Sequence, residues 1–242
     1  MLKARFARVK MWGNIEISPC DGKICASNIY IEKEISWNEM IDGYKIYINS
    51  ISEKTVLNSD YENLIVTDNC PVVSNSCYSN IIDPIHRSRI FNLGKYSNIL
   101  LNEIDAQIVS VGDNCNINTN GYGPFIVSNG LNSNICTHSS HATIVSTGPY
   151  THINSFGFCT NIYSSGANAC IVSVGDSTNI ESVGENATII CYKQDALVKA
   201  VKGNKITFND YGKKVTKIVD GINIRENTWY RVHDGGFCET IL

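Results

Sequence analysis

Through half of the chain one large aliphatic side chain returns every nine residues: Val72, Ile81, Ile90, Ile99, Ile108, Ile117, Ile126, Ile135, Ile144, Ile153, Ile162, Ile171, Ile180 and Ile189. A fixed period with no insertion means one small unit stacked on itself. With the aliphatic residue as position 0, position +2 is small and hydroxylic, as in Ser110, Thr119, Ser128 and Thr137, and position −2 is small, as in Ser97, Ala106, Cys115 and Ser133. Residues two apart share one face of a strand. Positions −2, 0 and +2 therefore line a thin interior, and −1 and +1 face outward. Glycine stands at +4 in many linkers, from Gly94 and Gly112 to Gly175 and Gly184. That predicts a tight corner after each short strand, with glycine supplying a positive φ.

The outward positions alternate between two chemistries. At −1, every second unit carries Asn80, Asn98, Asn116, Asn134 and then His152; at +1, the other units carry Val73, Phe91, Val109, Val127, Val145 and Tyr163. Two distinct faces imply a coil of eighteen residues. The fold predicted is all-β, a two-sheet β-solenoid of about seven coils, roughly 34 Å long at ~4.8 Å per rung. Its structural ladder is the column Ile108, Ile117, Ile126, Ile135, Ile144, Ile153, Ile162 and Ile171.

The period holds over residues 72–191. Residues 1–71 read as an N-terminal cap or accessory β segment, with alternating runs at Ala4 to Lys10, Asn28 to Glu32 and Tyr44 to Ile48, a short helix around Ser36 to Ile41, and Leu64 to Val66 out of register. Residues 192–242 read as a C-terminal β-hairpin cap with strands at Ile206 to Tyr211, Val215 to Val219, Trp229 to Val232 and Phe237 to Ile241. Turns are expected at Asp220-Gly221 and Asp234-Gly235-Gly236.

The 242 residues carry a net charge of −3 and are only 18% charged. Between Ala106 and Cys170 the sole formal charge is Asp113, whereas a nucleic-acid partner needs a basic stripe. The N-terminal stretch lacks the apolar run of a secretory signal, and no segment approaches the ~20 apolar residues of a membrane span. The expectation is a cytoplasmic protein with reduced cysteines and neither a membrane nor a nucleic-acid partner.

The unit Ile108 to Asn116, IVSVGDNCN, resembles the nine-residue unit of an uncharacterised group of bacterial and phage repeat proteins, roughly Ala-Ala-Ser-Ser-Gly-Asp-Tyr-Ser-Thr. The C-terminal segment of that group is similar as well, matched here by Val219-Asp220-Gly221, Ile224, Asn227-Thr228-Trp229-Tyr230, Gly236-Phe237 and Glu239. No activity comes with the resemblance. It implies a phage or mobile-element protein, one version being an inhibitor that binds or sequesters a host protein. Where that group has Ala at position 0 this chain has Ile, which implies a thicker interior.

Several chemistries fit the pattern poorly. A calcium β-roll needs a glycine doublet and a repeating aspartate, but only Asp113 and Asp176 follow a corner glycine. Cys136, His138, His141 and His152 offer metal-binding types, yet they divide between a face and a corner. Solenoid polysaccharide lyases and hydrolases cluster carboxylates, and the nearest such group is Glu103, Asp105 and Asp113. Ice-binding solenoids present outward threonine rows, and none is present. A non-catalytic protein without cofactor or metal is expected.

The feature that points to a role is the outward apolar row Phe91, Val109, Val127, Val145 and Tyr163, with Phe125 beside it. Contiguous apolar patches mark protein contacts. The row is expected to bind a protein partner or to pair two copies as a homodimer, unless the N-terminal segment folds over it. The other class of reading is a structural or adhesive component of a particle or cell surface.

Overall fold

The computed structural model describes residues 7–17, 24–34, 45–49, 55–58, 60–66, 71–83, 87–102, 104–210 and 212–241, the first three segments by backbone alone. The helix expected at Ser36 to Ile41 lies outside them. All described secondary structure is β.

At the N-terminal end β1 (Ala7–Ile17) and β2 (Ile24–Glu34) pair antiparallel in a sheet of their own. The chain then winds through β3 (Lys45–Asn49), β4 (Thr55–Leu57), β5 (Glu62–Val66), β6 (Val72–Ser74), β7 (Asn80–Asp83), β8 (Arg89–Asn92), β9 (Asn98–Leu101), β10 (Gln107–Ser110), β11 (Asn116–Thr119) and β12 (Phe125–Ser128). It continues through β13 (Asn134–Thr137), β14 (Thr143–Ser146), β15 (His152–Ser155), β16 (Asn161–Ser164), β17 (Cys170–Ser173), β18 (Asn179–Ser182), β19 (Thr188–Cys191), β20 (Leu197–Ala200) and β21 (Lys205–Asp210). It closes with β22 (Lys213–Ile218), β23 (Trp229–His233) and β24 (Gly236–Thr240). Even-numbered strands from β4 to β20 stack in parallel as a front sheet, and odd-numbered strands from β3 to β21 stack as a back sheet. This is the two-sheet solenoid with eighteen residues per coil, and it makes about eight turns rather than seven.

Parallel pairing continues on both sides of residues 72–191: Val198 in β20 still falls on the count of nine, eighteen residues after its partner Ile180, while the outermost coils are one residue short. Thr55 pairs with Val72 and Asn63 with Asn80, and Thr188 pairs with Lys205, each seventeen residues apart. A one-residue deletion in a corner breaks the sequence period and leaves the ladder intact. Leu64, out of register by counting, is buried and in the core.

The interior follows the predicted alternation. The aliphatic column from Val72 to Ile189 is 0–2% exposed, with buried hydroxyls or small groups on either side of most rungs and Asp83, Asn92 and Leu101 at the inward +2 position of three. Inward hydroxyls close the corners: Ser97 Oγ donates to Gly94 O at 3.2 Å and Thr151 Oγ1 to Gly148 O at 2.8 Å. Thr119 Oγ1 also donates to Thr137 Oγ1 one rung away, at 2.8 Å.

The corner glycines have a different cause from the one expected. None of those at +4 has a positive φ; instead, at Gly94, Gly112 and six others, a Cβ would sit 1.7–2.2 Å from the carbonyl oxygen of the residue eighteen positions earlier. Backbone approaches backbone there, and no side chain fits. The left-handed residue lies at position −3, once per half-coil, from Tyr78 through Arg87, Tyr96, Asp105 and Asn114 to Asn186, and all but Gly123 are non-glycine. Left-handed geometry costs roughly 1–2 kcal/mol per residue. It is offset where the same N–H reaches the next coil, as Tyr78 N does to Lys95 O at 2.8 Å and Asn132 N to Pro149 O at 3.0 Å.

Two antiparallel hairpins end the stack. β22 folds back on β21, and β23–β24 adds to β20. The outer strand β22 exposes Lys213, Lys214 and Lys217, charges that discourage another chain from adding to the edge.

Candidate functional site

The front sheet places Phe91, Val109, Val127, Val145 and Tyr163 in one column, each in register with the next. Position +1 of each strand must point away from an interior filled by positions 0 and +2. Phe91, Phe125 and Tyr163 are exposed and the three valines half-buried. Val73 continues the column below Phe91. Above Tyr163 it becomes charged: Glu181 lies over Tyr163 and Lys199 over Glu181. Their ion pair at 2.8 Å ends the apolar strip, and the Lys199 ammonium lies 5.4 Å from the Trp229 ring centroid. Phe125 stands in the neighbouring −1 column with Gln107 on one side and Thr143 on the other.

The back sheet carries the amide ladder. Asn80 Nδ2 donates to Asn63 Oδ1, Asn98 to Asn80, Asn116 to Asn98 and Asn134 to Asn116, at 2.5–2.9 Å. Asn179 to Asn161, at 3.0 Å, repeats the device on the front sheet. An amide is both donor and acceptor, so a column of identical residues satisfies itself.

The corners carry aromatic stacks that strand alternation does not announce, their one sequence signal being tyrosine at both 78 and 96. Tyr61, Tyr78 and Tyr96 stack with centroids 4.8–4.9 Å apart and rings within 6° of parallel. Burial between its neighbours pushes the Tyr78 phenol up. At the opposite corner His138 lies flat on Phe156 at 4.6 Å, and His141 packs between Tyr122 and Phe158. Of the histidines with metal-binding chemistry, His138 and His141 are therefore in aromatic contacts, and among the described residues no three His, Cys, Asp or Glu converge on a common point.

Charged groups within the coils act between rungs. Asp113 accepts Lys95 Nζ at 2.8 Å and the Leu131 N–H at 3.0 Å, and these hold its carboxyl below the ordinary range. Asp176 pairs with Lys193 at 2.9 Å, and Asp195 accepts Ser177 N and Oγ at 2.7 and 2.8 Å. Asp176, Lys193 and Asp195, with Tyr192, border a shallow concavity of about 450 Å³. Of the carboxylates weighed for glycoside chemistry, Asp105 lies at a left-handed corner and Glu103 falls outside the described residues. Cys77, Cys115, Cys136, Cys159, Cys170, Cys191 and Cys238 are free thiols, and burial pushes Cys136, Cys170 and Cys191 upward, away from the reactive thiolate.

The C-terminal motif is structural throughout. Asp220 Oδ1 accepts the N–H groups of Ile222, Asn223 and Ile224 at 2.8–3.0 Å, which depresses its pKa strongly. Tyr230 is buried, donates to Glu239 Oε1 at 2.9 Å and accepts Arg225 N at 2.8 Å; Arg225 also grips Glu239 through its guanidinium. Phe237 packs on Phe208 and Tyr230. Asn227 N reaches Ala200 O at 2.9 Å and ties the loop to the last front coil.

Fold and faces together define a parallel two-sheet β-solenoid with an uncharged apolar strip on its front face and an antiparallel lid at its C-terminal end. No protein-family model, curated protein or solved structure matches the chain.

Proposed function

We propose that this chain is a non-catalytic, rigid scaffold whose front face is a protein contact surface. The observation that carries this reading is the column Phe91, Val109, Val127, Val145 and Tyr163: five apolar outward side chains held in register with no charge among them. Such a strip costs little to desolvate, and its backbone is fixed by the rungs on both sides, so little ordering is needed on binding. Three ion pairs on the coils, Lys95–Asp113, Lys193–Asp176 and Lys199–Glu181, neutralise carboxylates that acid–base chemistry would need free, which favours binding. The likeness to phage repeat proteins suggests one version, a phage or mobile-element protein that sequesters a host protein.

The test is affinity capture with tagged chain from a lysate of the native host, in which the untagged chain is also present. The wild-type bait is expected to retain one protein in stoichiometric amount. Val127→Lys on the front face should release it, and Val172→Lys on the back face should not. Equal retention by both variants would overturn the reading.

A further inference from the structure

The front strip has a symmetry of its own. Read along the column it runs aromatic, valine, valine, valine, aromatic, from Phe91 to Tyr163, with Val127 at the centre. The neighbouring column on the same five rungs runs Arg89, Gln107, Phe125, Thr143 and Asn161, again with an apolar residue at the centre and polar ones outside. Resting on the reading of this face as a contact surface, we infer that its occupant is a second copy of the chain, packed face to face with the coils antiparallel about a two-fold axis through the Val127 rung.

A two-fold interface sets each residue against its symmetry mate. An axis along the strand direction at Val127 reverses the rung order and keeps each column against itself. Phe91 of one copy then meets Tyr163 of the other, Val109 meets Val145, and Val127 and Phe125 meet themselves. In the second column Gln107 meets Thr143 and Arg89 meets Asn161, so polar faces polar and no like charges meet. A two-fold along the solenoid axis and midway between the columns places Phe91 on Arg89, Val109 on Gln107 and Tyr163 on Asn161, burying polar groups against apolar ones. One running over the apolar column sets each of its residues on its own mate but brings Arg89 onto the exposed Leu93 and Gln107 onto the exposed Val111, polar against apolar again. The Glu181–Lys199 pair lies one rung beyond the strip, where it bounds the contact.

The extent sets the affinity expected. The five rungs from Phe91 to Tyr163 cover about 24 Å, and a strand about 15 Å wide gives roughly 360 Å² of plane per copy. A standard stable interface buries about 800 Å² of accessible surface per partner, so the pair is expected to be reversible, dissociating in the micromolar range. Pairing leaves the amide ladder and the tyrosine corner of both copies accessible on the outside.

Sedimentation of the full chain from about 1 to 100 μM tests the pairing. The wild type is expected to pass from monomer to dimer over that range. Val127→Lys, which sets two ammonium groups together on the axis, should weaken the pair by at least about 100-fold, with an unchanged far-ultraviolet spectrum, while Val172→Lys should leave it intact. Cross-linking fixes the geometry: chains carrying Val127→Cys should join to themselves through position 127. A chain carrying Val109→Cys should join one carrying Val145→Cys, and neither of these should join to itself through the new thiol, all read by peptide mass mapping. Self-joining at 109 would overturn the antiparallel arrangement. A wild type that stays monomeric at 100 μM overturns the pairing; if Val127→Lys nevertheless releases a different captured protein, the contact surface survives and only its occupant was wrong.

Discussion

In the regular coils nearly every residue has a counterpart one rung away, whereas in the C-terminal cap almost none does, and the two regions use opposite chemistry. Stacking identical groups at ~4.8 Å rewards those that bind their own kind: Asn on Asn, Thr on Thr, Ile on Ile, Tyr on Tyr. It penalises charge, because like charges at that spacing repel by about 1 kcal/mol in water and about 3 at a protein surface. Where the coils do carry charge, unlike groups are placed about one coil apart, as in Lys95 with Asp113 and Glu181 with Lys199. The cap has no such constraint, and it is held by Asp220 on three N–H groups and by the Arg225, Tyr230 and Glu239 cluster. The low charge of the middle of the chain is thus first a requirement of repetition.

The largest expected effect separates two kinds of glycine. A Cβ at Gly112 would lie 1.9 Å from the Gly94 carbonyl oxygen, whereas Gly221 in the cap has a φ of +80° and nothing within 4 Å of its virtual Cβ. Gly112→Ala must push adjacent backbones apart and is expected to cost about 3–5 kcal/mol, among the most damaging single changes. Gly221→Ala bears only the left-handed cost, about 1–2 kcal/mol. Urea denaturation of the two variants compares them, and equal losses would mean that the corners yield despite their close backbone packing.

How these features stood in the sequence follows from the same physics. The solenoid, its two faces and the apolar column were legible because each rung imposes the same alternation, so Ile108, Ile126 and Ile144 report one environment repeatedly. A single missing residue moves Leu64 and Ile206 off the count of nine without moving them out of the core, whereas Val198, flanked by Ala196 and Ala200, stays on that count and was open to the same reading. At the corner the roles are exchanged: a glycine column suggests positive φ, but here the glycines answer to crowding while Tyr78, His141 and Cys159 carry the left-handed turn. The apolar strip is complete in the sequence from Phe91 to Tyr163, but its boundary at Glu181 and Lys199 is not legible there, because their pairing appears only when the rungs are laid in register.

A smaller effect comes from placing charge in the ladder. Asn116→Asp removes the Nδ2 donor to Asn98 Oδ1, a bond of 2.8 Å, and turns a carboxylate toward that oxygen. The expected loss is about 1–2 kcal/mol at neutral pH. Adding Asn98→Asp sets two carboxylates on adjacent rungs, and the double variant should exceed the sum of the single ones by about 1–3 kcal/mol more. The excess should vanish when both carboxyls are protonated. A double-mutant cycle in urea at two pH values reads this directly, and simple additivity at neutral pH would show that the ladder tolerates like charge after all.

The smallest effect sharpens the comparison from the side of the cap. Backbone N–H groups of Ile224 and Ile222 depress the Asp220 pKa, and Arg225 followed by Tyr230 depresses that of Glu239. A carboxylate whose folded pKa lies below its unfolded value contributes stability that is complete above the unfolded pKa, near 4, and is lost as pH falls through the folded value. The cap holds two such groups close together, while the ladder between Ala106 and Cys170 holds only Asp113. Acid should therefore loosen the cap first. In a chain carrying Trp12→Phe and Trp37→Phe, Trp229 is the one remaining indole of the original three. Its emission is expected to change below about pH 4, while the far-ultraviolet signal of the stacked strands persists to lower pH. Asp220→Asn should remove some of that early change, because the amide gives up the charge and keeps one acceptor oxygen. Simultaneous loss of both signals would mean that the cap and the coils melt as one unit and that their different chemistry has no separate thermodynamic expression.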